Sequence, residues 1–330
     1  MVTDIAAHAR GCLAGLALGD ALGSPAEGKT PAQIRERWGR IDDFLSPEQG
    51  GTDDTEYALF SARLLLTYGL ELTPENVVEG YRREIISGDN AYKGAGFSEI
   101  LSIRNLEAGL MPPASGRHLH SWSDGLAMRV APYGIAAAGD PALAAKLAAV
   151  DGCVTHAGEG IYSGQAVAAA IAAAMNGAEL NTVFEAALSV LPEDCWTCRA
   201  LRRALAIARD HPGVWNAIQP LHDEIVCHAY YWADIAPEAV GLAFGLLAAA
   251  DGDFEESVLG GVNIGRDTDT IAAIAGAIAG ARGGLTAIPP HWRLRLRKAA
   301  GTCIKTVRGM DVLETAERLA DLALKRSGKS

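Results

Sequence analysis

Gly265-Arg266-Asp267-Thr268-Asp269-Thr270 runs without a break into Ile271-Ala272-Ala273-Ile274-Ala275-Gly276-Ala277-Ile278-Ala279-Gly280. Two carboxylates and two hydroxyls fill four residues, and an apolar helical run follows. Like charges this close repel, and partial burial raises the penalty. A helix N-terminus offsets part of that repulsion, and a hard cation offsets more. Gly50-Gly51-Thr52-Asp53-Asp54-Thr55 repeats the chemistry far upstream, again ahead of a helical run carrying Tyr57, Leu59, Leu64 and Leu65. Thr52 is expected to serve as the cap hydroxyl of that helix.

The segments between have the same character. Asp4 to Leu22 reads as a helix with glycines at 11, 15, 19 and 23. That spacing stripes one face for the close approach of another helix, a packing gain set against glycine's low helix propensity. Asp20 lies in this apolar segment and needs a partner if buried, while Ser24 to Gly28 breaks the helix and leaves Glu27 on a loop. Thr30-Pro31, Thr73-Pro74 and Asp140-Pro141 each pair a capping side chain with a proline at the first helical position. Apolar three- and four-residue steps recur in Leu59 to Leu66, Val77 to Ile86, Leu143 to Val150, Ala166 to Met175, Phe184 to Leu191, Leu201 to Ala208 and Val240 to Leu247. Alternating strand patterns are nearly absent, so the expected fold is all-α. Residues 87–123, with Gly94, Gly96, Pro112, Pro113, His118 and His120, read as a long irregular stretch, as do Leu285 to Trp292. No linker or solenoid period divides the chain, and a single domain spanning 1–330 is expected.

The formal net charge is -11 at pH 7, which argues against a general nucleic-acid or anionic-membrane binder. No secretory leader or bilayer-spanning stretch stands out, and the six scattered cysteines do not form a disulfide framework. A cytoplasmic location is expected. Cys195-Trp196-Thr197-Cys198 and Cys227-His228 read as free thiols in helical surroundings rather than a zinc site. His118-x-His120 reads as a solvated loop pair. Trp122, Tyr92 and Phe97 are placed to stack a base or to anchor the loop.

The blocks Gly11 to Gly23, Gly51 to Thr55, Ala127-Met128-Arg129-Val130-Ala131-Pro132, Thr155-His156 and Val262 to Gly276, in this order, resemble the ADP-ribosylglycohydrolase family. The resemblance implies a compact multi-helix domain with a central dinuclear metal cleft that holds two Mg2+, or Mn2+. It assigns Thr52, Asp53, Asp54, Asp267, Asp269 and Thr270 as metal ligands. Glu27, a solvated loop carboxylate on its own reading, matches a mobile glutamate near the reacting sugar. The implied reaction is hydrolysis of an N- or O-ribosyl bond, with Glu27, Asp53, Asp54 and Asp269 as catalytic groups.

Substrate contacts are implied at Glu27, Ser121, Trp122, Ser123, Asp124, Gly125 and His156, the last reading equally as a capping or core-edge histidine. The Asp124-to-Arg129 segment matches a helix start where the family places substrate, and a phosphate would suit such a start. Here the sequence departs from the pattern: Asp124 stands where asparagine is usual, and His120-Ser121-Trp122-Ser123 replaces a glycine-rich turn. The expected substrate is a small molecule or protein carrying ADP-ribose. The alternatives are a smaller nucleoside-like N-riboside, or ligand binding without catalysis on the same fold.

Overall fold

Two helices meet at backbone distance along the middle of the molecule, and the rest is arranged around them. The computed structural model describes residues 4–87, 95–326 and 328; Tyr92 and Gly94 lie outside the described residues. The first helix, Ile5–Gly23, is capped by the Asp4 carboxylate and buried along most of its length. It packs antiparallel against the helix Thr268–Gly283, and the glycine stripe is the reason. A Cβ on Gly15 would stand 2.1 Å from the Gly276 carbonyl oxygen, and one on Gly19 would stand 2.2 Å from that of Ala272. The contact brings the end of the first helix to the start of the second, where Thr268 Oγ1 donates to the Gly23 carbonyl at 2.8 Å. The acidic hexapeptide is thereby set at the molecule's centre.

Asp20 finds its partners there. Its carboxylate accepts from Thr52 N at 2.8 Å and Thr52 Oγ1 at 2.7 Å, then from Thr55 N at 3.0 Å and Thr55 Oγ1 at 2.5 Å. Asp20 therefore closes the N-terminus of the helix Asp53–Tyr68, a favourable place for negative charge. The capping expectation for Thr52 is corrected: it occupies the cap position, but its hydroxyl makes no cap bond and turns to Asp20.

Sixteen α-helices are present among the described residues, with no strand and two isolated bridges, Lys29 with Arg266 and Ser123 with Ile235. The fold is all-α. The three Pro-N1 starts are capped by Thr30, Thr73 and Asp140. Val77 to Ile86 begins as α-helix and widens into a π-helix over Tyr81–Ile86. One continuous apolar core connects the helices. Residues 87–123 are less irregular than expected, since Phe97–Glu107 is an eleven-residue helix. Its buried face carries Ser98, Glu99 and Ser102 beside Ile103 and Leu106, so apolar periodicity does not reveal it. All six cysteines are unpaired. Among the described residues no helix is long and apolar enough to cross a membrane.

Candidate functional site

A cavity of about 390 Å3 opens where the two acidic helix starts meet. Asp54 and Thr270, 216 positions apart, touch there, with Thr270 Oγ1 donating to Asp54 Oδ2 at 3.1 Å. Glu27, Asp267 and Asp269 each offer a carboxylate oxygen, all within 4.8 Å of one another. Glu27 arrives because its loop is bonded to the acidic hexapeptide: Gly28 N donates to the Arg266 carbonyl at 2.8 Å, and Arg266 N to that of Lys29 at 2.8 Å. Arg266 holds a left-handed backbone, φ 66°, and its guanidinium points away from the aspartates. It pairs with Glu238 at 2.6 Å and donates to the Trp232 carbonyl at 2.7 Å.

Eight carboxylates line the cavity: Glu27, Asp53, Asp54, Glu99, Asp124, Asp234, Asp267 and Asp269. No lysine or arginine is among the described residues that line it. Burial, then the Asp20 charge, drives Asp53 and Asp54 well above the usual carboxylate range. Burial followed by Asp267 does the same to Asp124 and Asp269. Enclosure of the Glu27 carboxyl, then Asp267, pushes it up to about 7. Repulsion of this kind, among oxygen donors with no His or Cys between them, is the chemistry of a hard divalent cation site. The residues present fit that group.

Ser123, Asp124 and Gly125 line one wall, while Ser121, Trp122 and His156 stand outside the lining. Asp124 is 3% exposed, and its Oδ2 has no hydrogen-bond partner. His156 is buried behind Ser123 and belongs to a relay whose direction follows from the Glu99 carboxylate, which can only accept. Arg129 Nη2 donates to Thr155 Oγ1 at 2.8 Å, and the Thr155 hydroxyl donates to His156 Nδ1 at 2.7 Å, the neutral ring keeping its proton on Nε2. His156 Nε2 then donates to Ser123 Oγ at 3.2 Å, Ser123 to Ser98 Oγ at 2.6 Å, and Ser98 to Glu99 Oε2 at 2.7 Å. Burial pushes His156 down to about 4, which keeps the imidazole neutral in this chain. The Ser121 carbonyl accepts from Ala157 N at 2.9 Å, and Trp122 packs edge-on against Tyr230.

Two expectations about this wall are corrected. Asp124 to Arg129 does not open a long helix; a 3-10 turn, Ala127–Arg129, precedes the short helix Ala131–Ala136. So short a turn carries little dipole towards a phosphate. His118 and His120 are loop anchors rather than a solvated pair: His118 Nε2 bonds the Thr155 carbonyl at 2.9 Å, and His120 stacks on Phe97. Sequence reasoning missed Glu99 and Asp234. Each is a lone carboxylate with no neighbouring motif, brought to the cavity by packing. It also left Asp20 without its role, although an acid in a glycine-striped apolar helix was the available signal.

The chain matches the family model described as ADP-ribosylglycohydrolase over residues 1–328. An uncharacterized protein of Archaeoglobus fulgidus is 35% identical over 293 residues, covering 86% of this chain and 89% of the relative. YegU of Escherichia coli, also uncharacterized, is 27% identical over 87% of this chain and 90% of its own length. The ADP-ribosylarginine hydrolase Tri1 of Pseudomonas putida is 26% identical over 86% of this chain and 73% of its own. A solved structure titled ADP-ribosylglycohydrolase-related protein complex superposes with a TM-score of 0.67 at 25% identity, covering 97% of this chain and 99% of the other. With two acidic helix starts joined around one oxygen-lined cavity, and a family match running nearly end to end, the chain belongs to the ADP-ribosylglycohydrolase family.

Proposed function

We propose that the cavity is the active site of a Mg2+-dependent glycohydrolase that cleaves an N- or O-ribosyl bond. The observation that supports this most is the set of eight carboxylates around one small cavity, with no lysine or arginine among its described lining residues. Thr52, Asp53, Asp54, Asp267, Asp269 and Thr270 would hold two Mg2+, with Mn2+ as a substitute. Such ions supply charge neutralisation and polarisation of bound oxygens. Glu27 sits at the cavity edge with its carboxyl near neutrality, the range in which a side chain takes and returns a proton efficiently. Asp53, Asp54 and Asp269 face C1′ of the sugar in this reading, where negative charge favours an oxocarbenium-like transition state. Ser123, Asp124 and Gly125 form the wall against the substrate, and His156 and Ser121 orient that wall from behind. Trp122 braces it.

Two substrates are open to this machinery. An ADP-ribosylated small molecule or protein is supported by the family and by the name of the Pseudomonas putida relative. A smaller N-riboside is favoured by the wall itself, because Asp124 and the lack of a lysine or arginine among the described lining residues leave a diphosphate without a partner there. Retention of all six ligand positions weighs against a ligand-binding protein without catalysis. The unpaired thiols support a reducing, cytoplasmic setting.

The deciding experiment is chromatographic. Purified protein is given ADP-ribosyl-arginine and, separately, a panel of nucleosides, with Mg2+ or with EDTA. Metal-dependent release of ADP-ribose supports the first substrate, and release of ribose from the nucleosides alone supports the second. No metal-dependent release from either would sink the glycohydrolase reading.

A further inference from the structure

The charge around the cavity is unevenly answered. The Asp53, Asp54, Asp267 and Asp269 carboxylates are the ones that divalent ions would neutralise. Glu99 is answered inside the wall by the fully buried Arg129, whose Nη1 lies 2.8 Å from Glu99 Oε1. Of the cations nearby, Arg266 is taken by Glu238, and Lys29 bonds the Glu27 carbonyl while its ammonium sits 5.8 Å from the Trp38 ring. Among the described residues that leaves Asp124 and Asp234 on one wall without a bonded lysine or arginine, Asp124 beside Asp267 and Asp234 within the field of His120. Each has a buried carboxylate oxygen without a hydrogen-bond partner, Oδ2 of Asp124 and Oδ1 of Asp234. They ride on adjoining segments, since Asp124 N donates to the Asp234 carbonyl at 3.2 Å.

Beside them stand two aromatic rings that a packed core would have covered. Phe97 and Trp232 both line the cavity, lie edge to face with centroids 5.0 Å apart, and are each 42% exposed. Unpaired carboxylates next to open aromatic rings attract a planar, delocalised organic cation, through charge and through the ring quadrupole. The same carboxylates repel a phosphate, and among the described residues no lining lysine or arginine compensates.

Resting on the glycohydrolase reading, we infer that the preferred substrate is an unphosphorylated N-riboside whose aglycone is a planar cation, selected by Asp124 and Asp234 with Phe97 and Trp232. The chemistry balances without an added reactant. The C1′–N bond breaks with both electrons going to nitrogen, and the aglycone leaves neutral, needing no proton. Water gives its oxygen to C1′ and releases one proton to a cavity carboxylate. Positive charge moves from the aglycone to the ribose as the bond breaks. Attraction to the Asp124 and Asp234 wall is therefore largely a ground-state effect, and it belongs in KM rather than in kcat.

The test uses nicotinamide riboside as the pyridinium probe, its 5′-phosphate, and an uncharged pyridone riboside of the same shape as a competing ligand. With Mg2+ present, the pyridinium riboside is expected to be hydrolysed and to bind about tenfold more tightly than the pyridone. Its 5′-phosphate should lose about tenfold or more in kcat/KM. Asp234→Asn should raise KM for the pyridinium about tenfold, leaving kcat and the pyridone inhibition constant within about twofold. Equal binding of charged and uncharged ribosides, preference for the 5′-phosphate, or an equal effect of Asp234→Asn on both ligands would overturn the inference and leave the glycohydrolase reading standing. Absence of metal-dependent hydrolysis of every riboside and of ADP-ribosyl-arginine would remove both.

Discussion

Asp269 sits in the first turn of its helix, 5% exposed, and burial, then the Asp267 and Asp54 charges, raises its pKa. In the metal-free protein its ionised form is a liability that folding tolerates for the sake of the site. Asp269→Asn keeps the shape and removes the charge. Turnover of the preferred substrate should fall at least about a hundredfold. Unfolding in EDTA at pH 8 should occur at the wild-type temperature or above, since one repelling charge is gone. A clear loss of metal-free stability would contradict the repulsion argument, and near-normal turnover would take Asp269 out of the mechanism. Glu27 separates binding from chemistry. Its carboxylate oxygen lies within 4.8 Å of those of Asp267 and Asp269, yet its residue is exposed and its loop is bonded to the acidic hexapeptide through Gly28, Lys29 and Arg266. Glu27→Gln should lower turnover by about 10² to 10⁴ while Mg2+ affinity changes by less than about threefold. If calorimetry instead shows Mg2+ binding collapsing with turnover, Glu27 is a ligand and not the proton carrier.

The pair of helices Ile5–Gly23 and Thr268–Gly283 is the element on which the site depends. At an open helix position, Gly→Ala stabilises by up to about 1 kcal/mol through backbone entropy. At Gly15 a Cβ meets the Gly276 carbonyl oxygen at 2.1 Å, so the helices must separate, at a cost of about 1–3 kcal/mol or more. The sign of the change is therefore the test. Gly15→Ala should lower stability to urea, and a gain would mean that the two backbones do not touch. This element was legible in the sequence because a four-residue glycine period has few other uses in a helix. The Thr-Pro and Asp-Pro starts were legible for a similar reason, since cap and proline fix the first turn locally. Phe97–Glu107 was not, because its buried face carries Ser98, Glu99 and Ser102, which are held by hydrogen bonds rather than by apolar burial. The two clusters of carboxylates and hydroxyls could be read from their spacing. Asp234 and Glu99 could not, since only tertiary contacts between distant segments show that a single carboxylate faces a cavity. His156 reads from the sequence either as a substrate contact or as a capping or core-edge histidine; it occupies the C-cap of Pro141–Thr155, one hydrogen bond behind Ser123.

At the scale of the whole molecule, folding concentrates acids that the unfolded chain keeps apart, so stability, pH and metal are linked. Glu27 rises from 4.5 to about 7, and burial takes Asp53, Asp54, Asp124 and Asp269 well above their ordinary 3.8. Raised folded-state values mean that the metal-free folded protein holds these protons more tightly than the unfolded chain does. Their stabilising contribution is complete below about pH 4 and is lost as pH climbs, through about 7 for Glu27 and further for the buried aspartates. A divalent cation competes for the same oxygens, and binds better as the protons leave. The melting temperature in EDTA should therefore fall between pH 5 and pH 8 by more than it does with Mg2+. The shift produced by Mg2+ should grow from near zero at pH 5 to about 5 °C at pH 8, at an Mg2+ concentration about a hundredfold above Kd. Calorimetric scans across that range with Mg2+ and with EDTA measure both trends. A Mg2+ shift that is flat with pH, or larger at pH 5, would mean that the ion binds elsewhere than among these carboxylates. In Asp269→Asn the shift should shrink at every pH, which ties the whole-molecule effect back to the helix start where the two acidic clusters meet.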